Sequence, residues 1–321
     1  MKIFDRIFHR HNISLHPDDA SSKRSQSKYG CFEIDDQFLG RLRKLTFVTQ
    51  RRLASGVTGE HLSSRLGDAL EFADYRSYTP GDDFRRVDWN AYLRLGHLFV
   101  KLANAPERVA LHILLDVSSS MGLGTPEKLA YSRQIAIGLA YVALSHMDSV
   151  TLMLLSGNSC LRFSRLVGSS AIAGFIRSLN SLSPSGTTNL DSALSSFANL
   201  AHHRGLIVLI SDLLSPTGFQ AGLSRLSRSS LRPVVIHVLS QDEIHPLLEG
   251  DVELFDVETG ETIQVSVDWD TLTSYQRWLQ EWFSSIEDFC ARNGIVYVRV
   301  QTTQPIDELL LDRLRRKRVL R

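Results

Sequence analysis

Oxygen donors recur at three places where an apolar run gives way to a short polar turn. The run ending in Leu114-Leu115 is followed by Asp116-Val117-Ser118-Ser119-Ser120-Met121-Gly122, which sets one carboxylate and two hydroxyls at alternate positions. The apolar run over residues 205–210 leads into Ser211-Asp212, and Ser185-Gly186-Thr187-Thr188-Asn189-Leu190 adds two threonine hydroxyls. Hydroxyls and a few carboxylates, with water completing the shell, suit a hard divalent cation: Mg²⁺ first, with Mn²⁺ or Ca²⁺ as alternatives. With only two carboxylates in the set, the ion would keep net positive character and an exchangeable position that a partner's carboxylate could fill. Asp116 and Ser120 also have a local reading, as caps of the helix that follows. The convergence of three loops favours the cation.

Other chemistries find less support. Gly122-Leu123-Gly124 follows an apolar run, but the third glycine of a dinucleotide loop is missing, and no phosphate-binding G-x-x-x-x-G-K-[ST] occurs. Asp82 and Asp83 could do acid–base work, yet no positioned nucleophile or leaving-group donor accompanies them. His112, His146 and His237 lie in apolar surroundings where a satisfied structural histidine is the expected role. His9, His11 and His16 sit in a polar stretch and are read as solvated. No catalytic residue is assigned.

To bring the three loops together, the chain must place several strand ends on one edge. From residue 108 onward, apolar runs of strand length alternate with helical periods: VALHILLD, KLAYSRQIAIGLAYVALSHM, VTLMLL, a helix near 170–180, a helix over 190–203, GLIVLISD, a helix near 219–226, PVVIHVLS, a helix over 271–292 and IVYVRVQT. Strands alternating with helices, and apolar without interruption, predict a parallel sheet buried on both faces: an α/β, Rossmann-like, doubly wound fold. In such sheets ligands gather where loops leave the carboxyl ends of the strands. Residues 251–268 instead alternate polar and apolar around Glu258-Thr259-Gly260, and predict an inserted antiparallel hairpin.

The rest of the chain falls into smaller pieces. Residues 1–35 are polar and serine-rich and read as a flexible lead. Residues 36–107, with a helical stretch over 38–53, read as a small α+β unit; Thr79-Pro80-Gly81-Asp82 marks a turn within it. Here Asp74, Arg76, Asp82, Asp83, Arg85, Arg86, Asp88 and Trp89 either form a partner-binding face or serve a structural role. Residues 305–321 read as a basic tail, expected to be solvated. Across all 321 residues, 36 Lys and Arg face 35 Asp and Glu, so no global field favours nucleic acid or anionic lipid. No apolar run approaches the roughly 20 residues that span a bilayer. Cys31, Cys160 and Cys290 are too scattered for a zinc knuckle or disulfide framework. With no apolar stretch of signal-peptide length near the N-terminus, the expected compartment is the cytoplasm.

Taken together, D-x-S-x-S at Asp116-Ser118-Ser120, a Gly-Thr loop and a later Asp resemble the metal-ion-dependent adhesion site of von Willebrand factor A domains. That resemblance selects Thr188 over Thr187, through the spacing Thr188-Asn189-Leu190-Asp191-Ser192-Ala193-Leu194, and implies a cation on Asp116, Ser118, Ser120, Thr188 and Asp212. The composite EFADYRSYTPGDDFRRVDWNAY, followed by LFVK and LLDVSSSMG, further resembles the bacterial family called domain of unknown function 58, over residues 42–304. The sheet is then expected to be a von Willebrand factor A-type domain over 108–304. The resemblance implies a non-enzymatic adaptor or co-chaperone that works with a MoxR-type AAA+ ATPase. A metal-dependent hydrolase acting on phosphate esters, and a purely structural metal, are the alternatives.

Overall fold

The computed structural model describes residues 13–15, 36–48, 71–104, 109–157, 159–162, 165–200 and 205–321. Its contacts divide the chain into two compact units, one of residues 1–49 with 109–321 and one of residues 50–108. In chain order the elements are β1 (Ile13–Leu15), α1 (Asp36–Leu42), β2 (Glu71–Ser77), α2 (Trp89–Leu95), β3 (Phe99–Asn104), β4 (Ala110–Asp116), α3 (Lys128–Ser145), β5 (Ser149–Ser156), β6 (Ser159–Arg162), β7 (Leu166–Val167), α4 (Ile172–Asn180), α5 (Leu190–Leu200), β8 (Gly205–Ser211), α6 (Gln220–Ser227), β9 (Leu231–Leu239), α7 (Gln241–Ile244), β10 (Gly250–Asp256), β11 (Thr262–Val267), α8 (Trp269–Arg292), β12 (Val296–Gln301) and α9 (Leu314–Arg316), the last preceded by a π-helical turn over Glu308–Arg313.

The larger unit is built on a sheet in the order β12-β9-β8-β4-β5-β6, with β7 also paired to β5. The pairs from β12 to β5 are parallel, and β6 and β7 run antiparallel to β5. This is the doubly wound, mostly parallel α/β sheet expected from the uninterrupted apolar strands. Alternate residues of each strand feed two cores, one on each face. Leu111, Ile113 and Leu115 join Leu152, Val208 and Ile236 beneath α3, whereas Leu114, Leu209 and Val235 pack against α5 and α6. The chain leaves β4 for β5 on one side and later returns to β8 on the other. The carboxyl ends of β4 and β8 therefore flank the point where the winding reverses, which is where such sheets form a crevice.

Helix α3 is buried around most of its circumference, because a second layer covers the side turned away from the sheet. Phe38 and Leu42 of α1, with Leu45 and Phe47, belong to the same core as Leu139, Ala143 and the buried C-terminal residues Ile306, Leu309, Leu310, Leu314, Val319 and Leu320. Two expectations are corrected here. Residues 36–48 belong to the sheet unit rather than the small unit, with a helix that ends at Leu42; residues 49–53 of the stretch expected to be helical lie outside the described residues. The expected basic tail is a packed terminus. Its leucines follow a helical spacing that outweighs the neighbouring arginines, and Thr46 and Arg321 exchange backbone hydrogen bonds of 3.1 and 2.9 Å.

The segment expected as a hairpin forms β10–β11, in register from Gly250↔Val267 to Phe255↔Thr262. Strand β1 pairs antiparallel along β10. Within the region expected to be a flexible lead, Ile13–Leu15 is thus an ordered strand, and the other residues of that region lie outside the described ones.

In the smaller unit, β2 and β3 pair antiparallel, with a register shift between Phe72 and Asp74. Helix α2 begins on Asp88 and ends at Gly96, whose φ of 69° suits a residue without Cβ.

Candidate metal centre

Asp116 is the last residue of β4, and its buried carboxylate gathers donors from three segments. Oδ1 accepts from the Ser118 N–H (3.0 Å) and the Thr188 hydroxyl (3.1 Å), and Oδ2 from the Ser211 hydroxyl (2.7 Å). Ser118 and Ser120 lie on the tight turn after β4, with hydroxyls 2.8 Å apart. The Thr188 loop is tied in by backbone: Ser119 N–H donates to Gly186 O (2.9 Å), Ser185 N–H to Val117 O (2.8 Å), and Gly157 N–H to Thr187 O (2.8 Å). The structure thus brings Asp116, Ser118, Ser120 and Thr188 together, all buried.

Asp212, the first residue after β8, is also buried but makes different contacts. Oδ1 accepts from the Leu214 N–H (3.1 Å), and Oδ2 forms an ion pair with Lys128 Nζ (2.7 Å). Leu213 between them has φ +59°, a conformation costly for a branched residue and held by the Leu213 N–H bond to Ser211 Oγ (2.9 Å). Lys128, at the start of α3, is fully buried and also pairs with Glu243. Glu243 is set by a capping box on α7: its Oε2 accepts from the Ser240 N–H (2.7 Å), and the Ser240 hydroxyl accepts from the Glu243 N–H (3.3 Å). Burial opposes the charge on Lys128, but the attraction of Asp212 and Glu243 outweighs it and raises the pKa.

Negative charge exceeds positive at this edge of the sheet. Lys128 pairs with Asp212 and Glu243, and among the described residues no ion pair reaches Asp116. Burial first, and repulsion by Asp212 second, push the Asp116 carboxyl upward despite its three donors. Glu258, in the β10–β11 turn, adds a further carboxyl. It accepts a hydrogen bond from Ser120, while burial and the nearby Asp212, Asp116 and Asp256 push its pKa up to about 8. A divalent cation would relieve this excess, and the buried carboxylate and hydroxyl oxygens are donors it accepts. Among the described residues no three His, Cys, Asp or Glu side chains form a metal-holding cluster, so hydroxyl oxygens would have to share in the coordination.

Sequence reasoning missed Ser211, Lys128, Glu243 and Glu258. Only Glu243 had a local signal, the capping-box spacing Ser240-x-x-Glu243. His237 meets its expectation as a structural histidine: it is buried, its Nδ1 lies 2.7 Å from the Tyr297 hydroxyl, and burial lowers its pKa to about 3.

The candidate residues of the smaller unit organise turns within it. Asp82 accepts from the Thr79 N–H and hydroxyl (both 2.9 Å) and pairs with Arg76 (2.6 Å). Asp83 caps the turn at Arg85 (3.0 Å), and buried Asp88 caps α2 through Asn90 and Ala91 (3.0 and 3.2 Å). Asp74 lies on β2 opposite Leu102, and Arg86 ends the short turn before Val87. Trp89 is exposed and meets Tyr92 edge to face; Phe84, Leu93 and Leu95 are exposed as well.

Comparison with known proteins adds the following. The chain is 26% identical over 242 residues to uncharacterized protein Rv1480 of Mycobacterium tuberculosis (strain ATCC 25618 / H37Rv) and, to the same degree, to uncharacterized protein Mb1516 of Mycobacterium bovis (strain ATCC BAA-935 / AF2122/97), covering 74% of this chain and 76% of each relative. Similar solved structures include BatB, a conserved hypothetical protein from Bacteroides thetaiotaomicron (15% identity, 65% of this chain and 98% of that one, TM-score 0.42), and the SpRpn10 VWA domain (14% identity, 64% and 95%, TM-score 0.35). The family model described as "Protein of unknown function DUF58" matches residues 74–281, well over half of the chain. The chain therefore belongs to the DUF58 family of proteins of unknown function.

Proposed function

We propose that the protein is a metal-dependent protein–protein interaction module rather than an enzyme. A divalent cation, Mg²⁺ in the first instance, is held by Asp116, Ser118, Ser120 and Thr188, with Asp212 beside them. The cation's remaining position takes an Asp or Glu side chain from a partner. One observation carries this reading: a buried carboxylate, ringed by hydroxyls from three segments, forms no ion pair among the described residues, while burial and a second carboxylate raise its pKa. The cluster lies at the carboxyl ends of β4 and β8, where the winding of the sheet reverses.

The family resemblance suggests a MoxR-type AAA+ ATPase as the partner, with this chain as its adaptor or co-chaperone. Energy would then come from the partner. Among the described residues no helix is long and apolar enough to cross a membrane, and Cys160 and Cys290 are free thiols, which suits a cytoplasmic role.

The test is a pull-down from native lysate with wild type and Asp116→Ala, each with Mg²⁺ and with chelator, and mass spectrometry of what is retained. An AAA+ ATPase held only by wild type with Mg²⁺ is the expected outcome. Identical recovery in all four conditions refutes metal-dependent recruitment.

A further inference from the structure

We propose that the open edge of β12 is a second docking site, which takes an extended acidic segment of a partner protein as an added strand. It stands independently of the cation centre, where the occupant is a single Asp or Glu side chain.

Strand β12 closes one end of the sheet: it pairs in parallel with β9, and among the described residues nothing pairs with its other edge. Thr302 N–H donates to Leu239 O (2.9 Å), so the even-numbered residues of β12 turn their backbone groups to β9 and the odd-numbered ones turn theirs outward. At Gln301 the outward groups are taken up locally, the N–H by Gln304 Oε1 (3.3 Å) and the C=O by the Gln304 N–H (3.0 Å). Among the described residues nothing takes up those of Tyr297 and Arg299, which leaves their N–H donors and C=O acceptors for a further strand. Addition of a peptide strand to such an edge is a recurrent mode of recognition.

The same edge lines a cleft of about 420 Å³, with Cys290 and Ala291 of α8 on one side and Arg313, Arg316 and Lys317 of the C-terminal turn on the other. These sides belong to opposite faces of the sheet: Cys290 packs in the core that holds Tyr297, whereas Leu314, next to Arg313, packs in the core that holds Val298. Four cations line the cleft, Arg299, Arg313, Arg316 and Lys317, against one acid, Glu287. Neighbours hold three of them in place: Arg299 lies 4.2 Å from the centre of the Phe283 ring, Arg313 donates to Gln304 Oε1 (2.9 Å) and Arg316 pairs with Asp312 (3.0 Å). Among the described residues Arg299, Arg313 and Lys317 form no ion pair. Successive side chains of an added strand point to opposite faces, so acidic ones would meet Arg299 on the α8 side and the other three cations on the far side. The same charges repel a basic segment or a second copy of this edge. Backbone pairing supplies the affinity and the cations supply the selectivity.

Fluorescence anisotropy with the full chain and a fluorescein-labelled hexapeptide of alternating Glu and Val tests this. Two further peptides carry N-methyl groups on every Glu or on every Val, which keeps the charges and removes one row of N–H donors. Wild type is compared with the double variant Arg313→Gln, Lys317→Gln and with Arg177→Gln, an exposed arginine of α4, after thermal melts show each variant folded. The double variant should bind the unmodified peptide about tenfold more weakly, and Arg177→Gln should match wild type. One methylated peptide should keep the affinity of the unmodified one and the other should lose it, because only one row of N–H groups faces β12. No binding by wild type, or equal binding by wild type and the double variant, overturns the proposal. Equal affinity for the two methylated peptides, high or low, overturns strand addition and leaves at most a receptor for anions. Sedimentation velocity showing that wild type self-associates until the peptide is added would make a second copy the occupant, and overturns it as well.

Discussion

Lys128 shows how one side chain can decide the electrostatics of a sheet edge. It is fully buried, with Asp212 at 2.7 Å and Glu243 on its other side, and the two acids come from segments far apart in the chain. Buried ion pairs add little net stability relative to apolar packing, but removing one partner leaves an uncompensated charge. Lys128→Met keeps much of the side-chain length and strands both acids. It should lower the unfolding free energy by about 3–5 kcal/mol in urea titration, and adding Asp212→Asn should restore part of the loss. Lys128 pairs with Asp212 and Glu243, and among the described residues no ion pair reaches Asp116 at the centre of the hydroxyl ring. The sequence offered no hint of this pairing, since a lysine opening an apolar helix reads as a solvated helix end.

At the scale of elements, α3 and the C-terminal turn depend on each other. Gly138 lies where an added Cβ would come within 2.4 Å of Leu310 Cδ1, and Leu310 is wholly buried in the core shared with α3. Leu310→Ala should cost about 2–5 kcal/mol through lost contacts and a cavity. Gly138→Ala should cost about 1–3 kcal/mol through overpacking. In the double variant the new methyl group fills part of the space vacated by Leu310, so denaturant melts should show a loss well below the sum of the two. Additive losses would mean that the two residues do not share one packing site. The basic composition of 305–321 concealed this role: charge counts describe the exposed face of the terminal turn, whereas the buried leucines fix its position.

For the whole molecule, the cation reading predicts a stability linked to metal. A ligand that binds only the folded chain stabilises it by about 2.7 kcal/mol at a hundred times its dissociation constant. For a cooperative unit of this size that corresponds to a rise in Tm of roughly 4–5 °C. Mg²⁺ should produce such a shift in wild type, chelator should reverse it, and Asp116→Ala should show none. A metal-induced shift with no change in partner binding would make the ion a structural lock on the three loops. Of the apolar side chains between Phe84 and Leu95, the sequence singled out Trp89 as partner-binding or structural; the structure leaves Phe84, Trp89, Leu93 and Leu95 exposed in the smaller unit.

By itself the sequence determined the sheet, because uninterrupted apolar strands separated by helices admit few arrangements other than a parallel sheet covered on both faces. It also determined Asp116, Ser118 and Ser120 as a set, since their spacing is local and needs only one turn of chain. The hairpin around Glu258-Thr259-Gly260 was legible for the same reason, as strict alternation with a glycine at the reversal. Tertiary structure alone decided what these pieces meet. It tied Thr188 and Ser211 to Asp116, turned Asp212 toward Lys128, carried Glu258 to Ser120 and folded the terminus onto α3. Each of these contacts joins segments distant in sequence, and their partners are chosen by strand order and loop direction rather than by any local pattern of residues.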